Sequence, residues 1–353
     1  MNYQTPGGKT PPPAGHIYVN GYGFVSEDPW FRESRGIWKN AAVIGLVLLG
    51  ILFIPAFSVY PIQVLLNLIF TPFVYLSDSA YQSMNLQAVY LELGQLAQSL
   101  LSLGIPLILA AFLLRPRKKS VPLTRRPSSN TFSSGIALCM AVWAVSTFIL
   151  DASAGLLQNL HLVELHPENS MPAALAAVPF YLIRVLVVPA ILEEFLFRGV
   201  ILRSLRQFGD SFAIVVSAFS FSLIHYNLSR DLRAFLLGLV LGYFVIRSGS
   251  VWTAVAGRFC CLLLSLASEN LPHLFPGTLS STLRILLFLA VTLIGMLAFV
   301  RFSHLEGNPF ILSSGHTATR ISVKLRRFFS NAVFLIAAAL WIVQIFSHIQ
   351  IIG

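Results

Sequence analysis

The chain has 353 residues, 56% of them hydrophobic and 11% charged, with a formal net charge of +10. Soluble domains carry about 25% charged residues, so this composition excludes a water-soluble globular protein. Apolar runs of about 20 residues recur along it, which predicts an all-α, polytopic transmembrane helical bundle of about eight to nine spans. The positive charge does not mark a nucleic-acid partner. The basic residues lie between apolar runs, with no basic patch interleaved with aromatics, and suit loops facing the anionic lipid of a bilayer.

In chain order, residues 1–38 are rich in Pro and Gly, lack the apolar stretch of a signal peptide, and are expected to form a disordered cytoplasmic arm. Its "GGKT" at Gly7–Thr10 is no phosphate loop, because the earlier glycine and the preceding strand are both missing. Residues 39–130 hold N-terminal membrane helices, with spans near 40–59 and 88–114. Between them, 61–77 is apolar but bracketed by prolines, and reads as a tenth, re-entrant or interfacial segment. A membrane core over 131–302 contains spans near 132–152, 173–197, 211–226, 231–247, 251–270 and 283–301. A basic loop and a last span near 332–351 make up 303–353. The cysteines Cys139, Cys260 and Cys261 all fall in apolar spans and form no disulfide framework.

Lysine and arginine alternate along this series. Arg32, Arg35 and Lys39 precede the first span. "RPRKKSVPLTRR" (115–126) follows the second, Arg203 and Arg206 the fourth, Arg247 the sixth, and Arg301 with Arg320, Lys324, Arg326 and Arg327 the eighth. The connections 61–87, 153–172 and 271–282 contain neither residue, and only the turn with Arg230 breaks the pattern. The bias places the N-terminus in the cytoplasm and, with nine spans, the C-terminus outside.

Against this background "ILEEFLFRGV" (191–200) stands out, because an ionisable residue inside a membrane helix costs roughly 2.5–3.5 kcal/mol on insertion scales. Glu194 and Arg198 are spaced i,i+4 and can pair, whereas Glu193 points about 100° away and is expected to remain free. Without function, these residues would be the snorkelling end of a helix. A second feature, "FSFSLIHYN" (219–227), carries Phe221 and His225. Gly209 marks a turn between the two stretches, and Glu193 and His225 lie at nearly equal chain distances from it. In an antiparallel hairpin they would face each other at one height. A carboxylate and an imidazole so placed can activate a water or bind a divalent metal such as zinc, although few further ligands are available. Pro189 is expected to kink the first helix of the hairpin.

EExxxR (Glu193, Glu194, Arg198) followed by FxxxH (Phe221, His225), then "FLLGLVLGYFVIRSGSVWTAVAG" (235–257), resembles the CAAX-protease and bacteriocin-processing family, also called Abi, which includes Rce1-type intramembrane proteases. The resemblance covers about 135–302 and implies an intramembrane endopeptidase of a bacterial plasma membrane, acting on membrane-embedded or lipidated polypeptides. It implies Glu193 and His225 as the catalytic, water-activating pair, with Glu194, Arg198 and Phe221 supporting them, in a glutamate-type site rather than a metal site. The family's third motif, HxxxN, is absent: Arg258 stands at the histidine position and Leu262 at the asparagine position. Arg258 can replace the lost donor, or pair with Glu193 and silence it. Neither Asn270 nor His273 restores the motif. A catalytically impaired member that binds or regulates membrane proteins is the alternative reading. A secondary transporter using the buried charges is a second one, disfavoured by the lack of internal repeats.

Overall fold

The computed structural model describes residues 16–19, 23–26, 28–75, 80–114, 125–159, 161–164, 171–225, 227–275, 277–306, 312 and 319–351. These residues form a helical bundle with two small ribbons, β1 (His16–Val19) paired with β2 (Gly23–Ser26), and β3 (Leu162–Glu164) paired with β4 (Ile349–Ile351), both antiparallel. The helices are α1 (Pro29–Tyr75), α2 (Ala80–Leu113), α3 (Ser129–Asn159), α4 (Leu175–Phe208), α5 (Asp210–Ser222), α6 (Leu228–Ser248), α7 (Val251–Leu274), α8 (Thr278–Glu306), α9 (Ile321–Phe329) and α10 (Ala332–Ser347). The "RPRKKSVPLTRR" run lies largely outside the described residues.

Local chemistry sets the helix ends. The Asp28 carboxylate accepts from the Trp30 N–H at 2.9 Å, with Pro29 at the first helical position of α1. Asn227 caps α6 by accepting from the Arg230 N–H at 3.0 Å, and Asn331 caps α10 through the Phe334 N–H at 3.2 Å. Gly209, at φ +115°, turns the chain from α4 into α5, and Gly249, at φ +65°, ends α6.

Among the described residues six helices are long and apolar enough to cross a membrane, or seven if the bent pair α9 and α10, which meet at 73°, counts as one span. The six coincide with the stretches expected near 40–59, 88–114, 132–152, 173–197, 251–270 and 283–301. The remaining three stretches are helices of a different kind. The 211–226 stretch is a short apolar helix, the 231–247 helix carries Arg230, Asp231, Arg233 and Arg247, and the last stretch is a 16-residue helix bent against α9. The 61–77 stretch is no separate segment, because α1 continues through Pro55 and Pro61 to Tyr75.

The bundle is built around α3, α4, α5, α6 and α7. A Cβ on Gly295 of α8 would collide with Ala141 and the Ala137 carbonyl of α3, so α3 and α8 touch backbone to backbone, as small residues allow in membrane packing. Fully buried Phe197, Phe212, Phe221, Phe328 and Phe334 fill the interior. Buried Lys324 donates to the Phe208 carbonyl at 2.6 Å and pairs with Glu33 at 3.2 Å. It thereby gathers the start of α1, the α4–α5 turn and α9 at one end of the bundle. Those three regions are among the basic connections that the charge alternation grouped together.

Candidate functional site

Most of α4 does not follow the ordinary helical register. Ile183–Val187, Pro189–Glu193 and Phe195–Leu202 close i→i+5 hydrogen bonds. Pro189 has no N–H to complete an i→i−4 bond, and the backbone around it takes wide π-type turns, which recur at functional sites. The kink expected at Pro189 is thus replaced by a broadened helix, and that helix carries all three charged residues of the first motif.

Glu194 and Arg198 form an ion pair at 3.1 Å with both side chains at 0% exposure. The Arg198 guanidinium also lies over the Phe221 ring, 4.2 Å from its centroid. Gly238 on α6 leaves room for it: a Cβ there would sit 3.2 Å from Arg198 Nη2 and 3.0 Å from Ala218 of α5. The Ser217 hydroxyl donates to the Phe197 carbonyl at 2.8 Å and ties α5 to this part of α4. The i,i+4 pairing read from the sequence is therefore present, and it is sealed from solvent and lipid.

Glu193 is not free. Arg258 reaches across from α7, and its Nη2 donates to Glu193 Oε2 at 2.9 Å. The same nitrogen lies 3.2 Å from His225 Nε2. A guanidinium nitrogen only donates, so Nε2 accepts, and the imidazole proton is assigned to Nδ1, which faces the Ser222 carbonyl at 3.4 Å. The two hydrogens of one nitrogen thus serve both residues of the expected water-activating pair. Glu193 and His225 do meet across the hairpin, bridged by Arg258. Phe221 is packed between the charges: Arg258 lies 5.1 Å from its centroid and the His225 ring meets it edge-on at 5.0 Å.

His225 and Arg258 border a cavity of about 150 Å³ among α3, α4, α6 and α7. Its lining includes His225, Arg258 and Leu262, and also Tyr181, Arg230 and Arg233, which reading the sequence did not assign to a site. The one available signal was Arg230, the residue that broke the charge alternation. Leu262, at the asparagine position, brings no hydrogen bond to the wall. Asn270 donates to its own helix, at the Leu266 carbonyl, and His273 is exposed, so neither completes the motif. A second ion pair between helices, Arg184 with Glu92 at 3.0 Å, links α4 to α2 and also went unread.

The residues do not fit a divalent metal. Among the described residues no group of three or more His, Cys, Asp or Glu converges, whereas zinc takes three or four such ligands. Glu193 and His225 are moreover both directed at a cationic nitrogen.

Residues 175–264 match the family model described as Rce1-like, the type II CAAX prenyl endopeptidases. That stretch of the chain is similar to the Rce1-like family. The match spans about a quarter of the chain and contains every motif position named above, from Glu193 to Leu262. No curated protein and no solved structure matches the chain. The apolar helices make this an integral membrane protein, similar over residues 175–264 to the Rce1-like family.

Proposed function

We propose that this Rce1-like protein holds membrane-associated polypeptides at the cavity beside His225, with peptide hydrolysis suppressed by Arg258. The observation that carries this reading is the single Arg258 nitrogen bonded to both Glu193 and His225. In a working Rce1-like centre, Glu193 would take a proton from a water that His225 helps to hold, and both groups need a free lone pair directed at that water. Here those lone pairs are directed at a guanidinium, which is not deprotonated in proteins. Leu262 adds to the defect, since loss of one oxyanion donor costs roughly 10²–10³ in rate. The lysine and arginine pattern supports an orientation with the N-terminus in the cytoplasm.

One observation favours a second reading. Among the described residues Arg258 Nε is buried without a protein partner, so Arg258 retains a donor that could meet a tetrahedral oxyanion in place of the missing side chains. In that case the wild type is itself a peptidase.

Cleavage of a membrane-peptide library in detergent separates the two readings. The expected outcome is wild-type cleavage near background, a rise of about tenfold to a thousandfold in Arg258→His/Leu262→Asn, and return to background when Glu193→Gln is added. Wild-type cleavage at the rate of the double variant overturns the suppressed reading and supports the second. A photoreactive side chain at Leu266, on the cavity wall, should crosslink the same peptides in the wild type. Failure to crosslink any of them would remove the polypeptide-binding part of the proposal.

A further inference from the structure

Arg230 and Arg233, at the start of α6, are half-buried among membrane helices and line the cavity. Among the described residues neither has an acidic partner within ion-pair distance. Arg233 donates to the Thr147 hydroxyl at 3.1 Å. Glu269 is the one carboxylate on the cavity wall, and it accepts from the Ser265 hydroxyl at 3.0 Å. The third guanidinium, Arg258, is paired with Glu193. Charges without an ion-pair partner in a membrane bundle are costly, and where they persist they face a ligand or ion path. Their place in the chain makes the cost harder to explain by topology, because Arg230 lies in the one connection that departs from the alternation of basic and neutral loops.

We infer that Arg230 and Arg233 form an anion site for the phosphate headgroup of a membrane lipid. Two guanidinium forks one turn apart suit a phosphate, whose several oxygens accept from both. The cavity, at about 150 Å³, is smaller than the roughly 300–1,000 Å³ of pockets that enclose a whole ligand. It therefore admits a headgroup and leaves the remainder of the molecule outside. The helix that carries the guanidiniums also has an exposed apolar stripe on another face, Leu228, Leu232 and Leu236, one turn apart and 53%, 50% and 38% exposed. The site goes beyond hydrolysis and polypeptide binding and does not depend on either.

The test uses the full-length chain in phosphatidylcholine nanodiscs, with a fluorescent short-chain phosphatidylglycerol as probe. Saturable binding is expected, displaced by unlabelled phosphatidylglycerol and not by phosphatidylcholine. Arg230→Gln/Arg233→Gln should weaken it at least about tenfold, the worth of one charge-assisted hydrogen bond. Arg230→Lys/Arg233→Lys keeps the charge without the fork, guards against misfolding of the first variant, and should fall between it and wild type. Arg326→Gln/Arg327→Gln removes two exposed charges on α9 and should change affinity less than about twofold. Undiminished binding in both cavity variants overturns the site, and so does an equal loss in the α9 variant. Displacement by inorganic phosphate at the lipid's own concentration would assign the site to the free ion. Displacement by a peptide with a free C-terminal carboxylate at lower concentration than the lipid would assign it to a polypeptide.

Discussion

Two adjacent glutamates on α4 belong to different regions of the molecule. Glu194 faces the sealed interior between α4, α5 and α6, where it pairs with an arginine of its own helix at 0% exposure. Glu193 pairs instead with an arginine 65 residues away on α7, one that lines the cavity, with side chains about 10% exposed. The interior pair cements the motif helix to Phe221. The cavity pair joins α4 to α7 through Arg258, which lines the cavity. Neighbouring residues of one type thus take different partners according to what each helix face meets.

Four measurements would break or sharpen that contrast. The largest effect is expected from Arg198→Ala, which strands buried Glu194. Removing one partner of a buried pair costs roughly 3–5 kcal/mol, so folded yield in detergent should collapse. Glu193→Gln should retain yield, because the amide oxygen can still accept from Arg258. Equal yields for Arg198→Ala and wild type would end the structural assignment. Next comes the cavity pair, where Arg258→His/Leu262→Asn should raise cleavage by about tenfold to a thousandfold while leaving the Glu194–Arg198 pair and folded yield unchanged. A gain accompanied by loss of fold would mean that the two regions are coupled.

A smaller effect is expected from Gly238→Ala. The added methyl would press on Ala218 and Arg198, and overpacking of this kind costs about 1–3 kcal/mol. Its thermal midpoint should fall below that of wild type, and an unchanged midpoint would show that α6 can move away from α5. Smallest of all is Arg206→Gln, which breaks a pair with Asp210 at 2.9 Å whose arginine is 22% exposed at the α4–α5 turn. Partly exposed pairs contribute about 0–1 kcal/mol, so the midpoint should barely move. A loss comparable with that of Arg198→Ala would erase the distinction between sealed and accessible pairs.

The sequence alone determined what local periodicity and spacing can carry. It determined the helical membrane class from composition, nine candidate spans of which six coincide with helices long and apolar enough to cross a membrane, the Glu194–Arg198 pair from its i,i+4 spacing, and the Gly209 turn from the residue type that a positive φ requires. It also identified Rce1-like motifs at Glu193, Glu194, Arg198, Phe221 and His225, and the departure at Arg258 and Leu262. Where composition was misleading, the reason was local: α6 carries four charged residues and α5 is short, and hydropathy counted both as ordinary spans. Only the tertiary structure decided where Glu193 finds its partner, because that partner comes from α7 and no spacing on α4 encodes it. It also brought Arg230 and Arg233 to the same cavity as His225. A guanidinium extends several ångströms from its own helix, and which neighbour it meets depends on how helices far apart in sequence pack, not on the residues beside it in the chain.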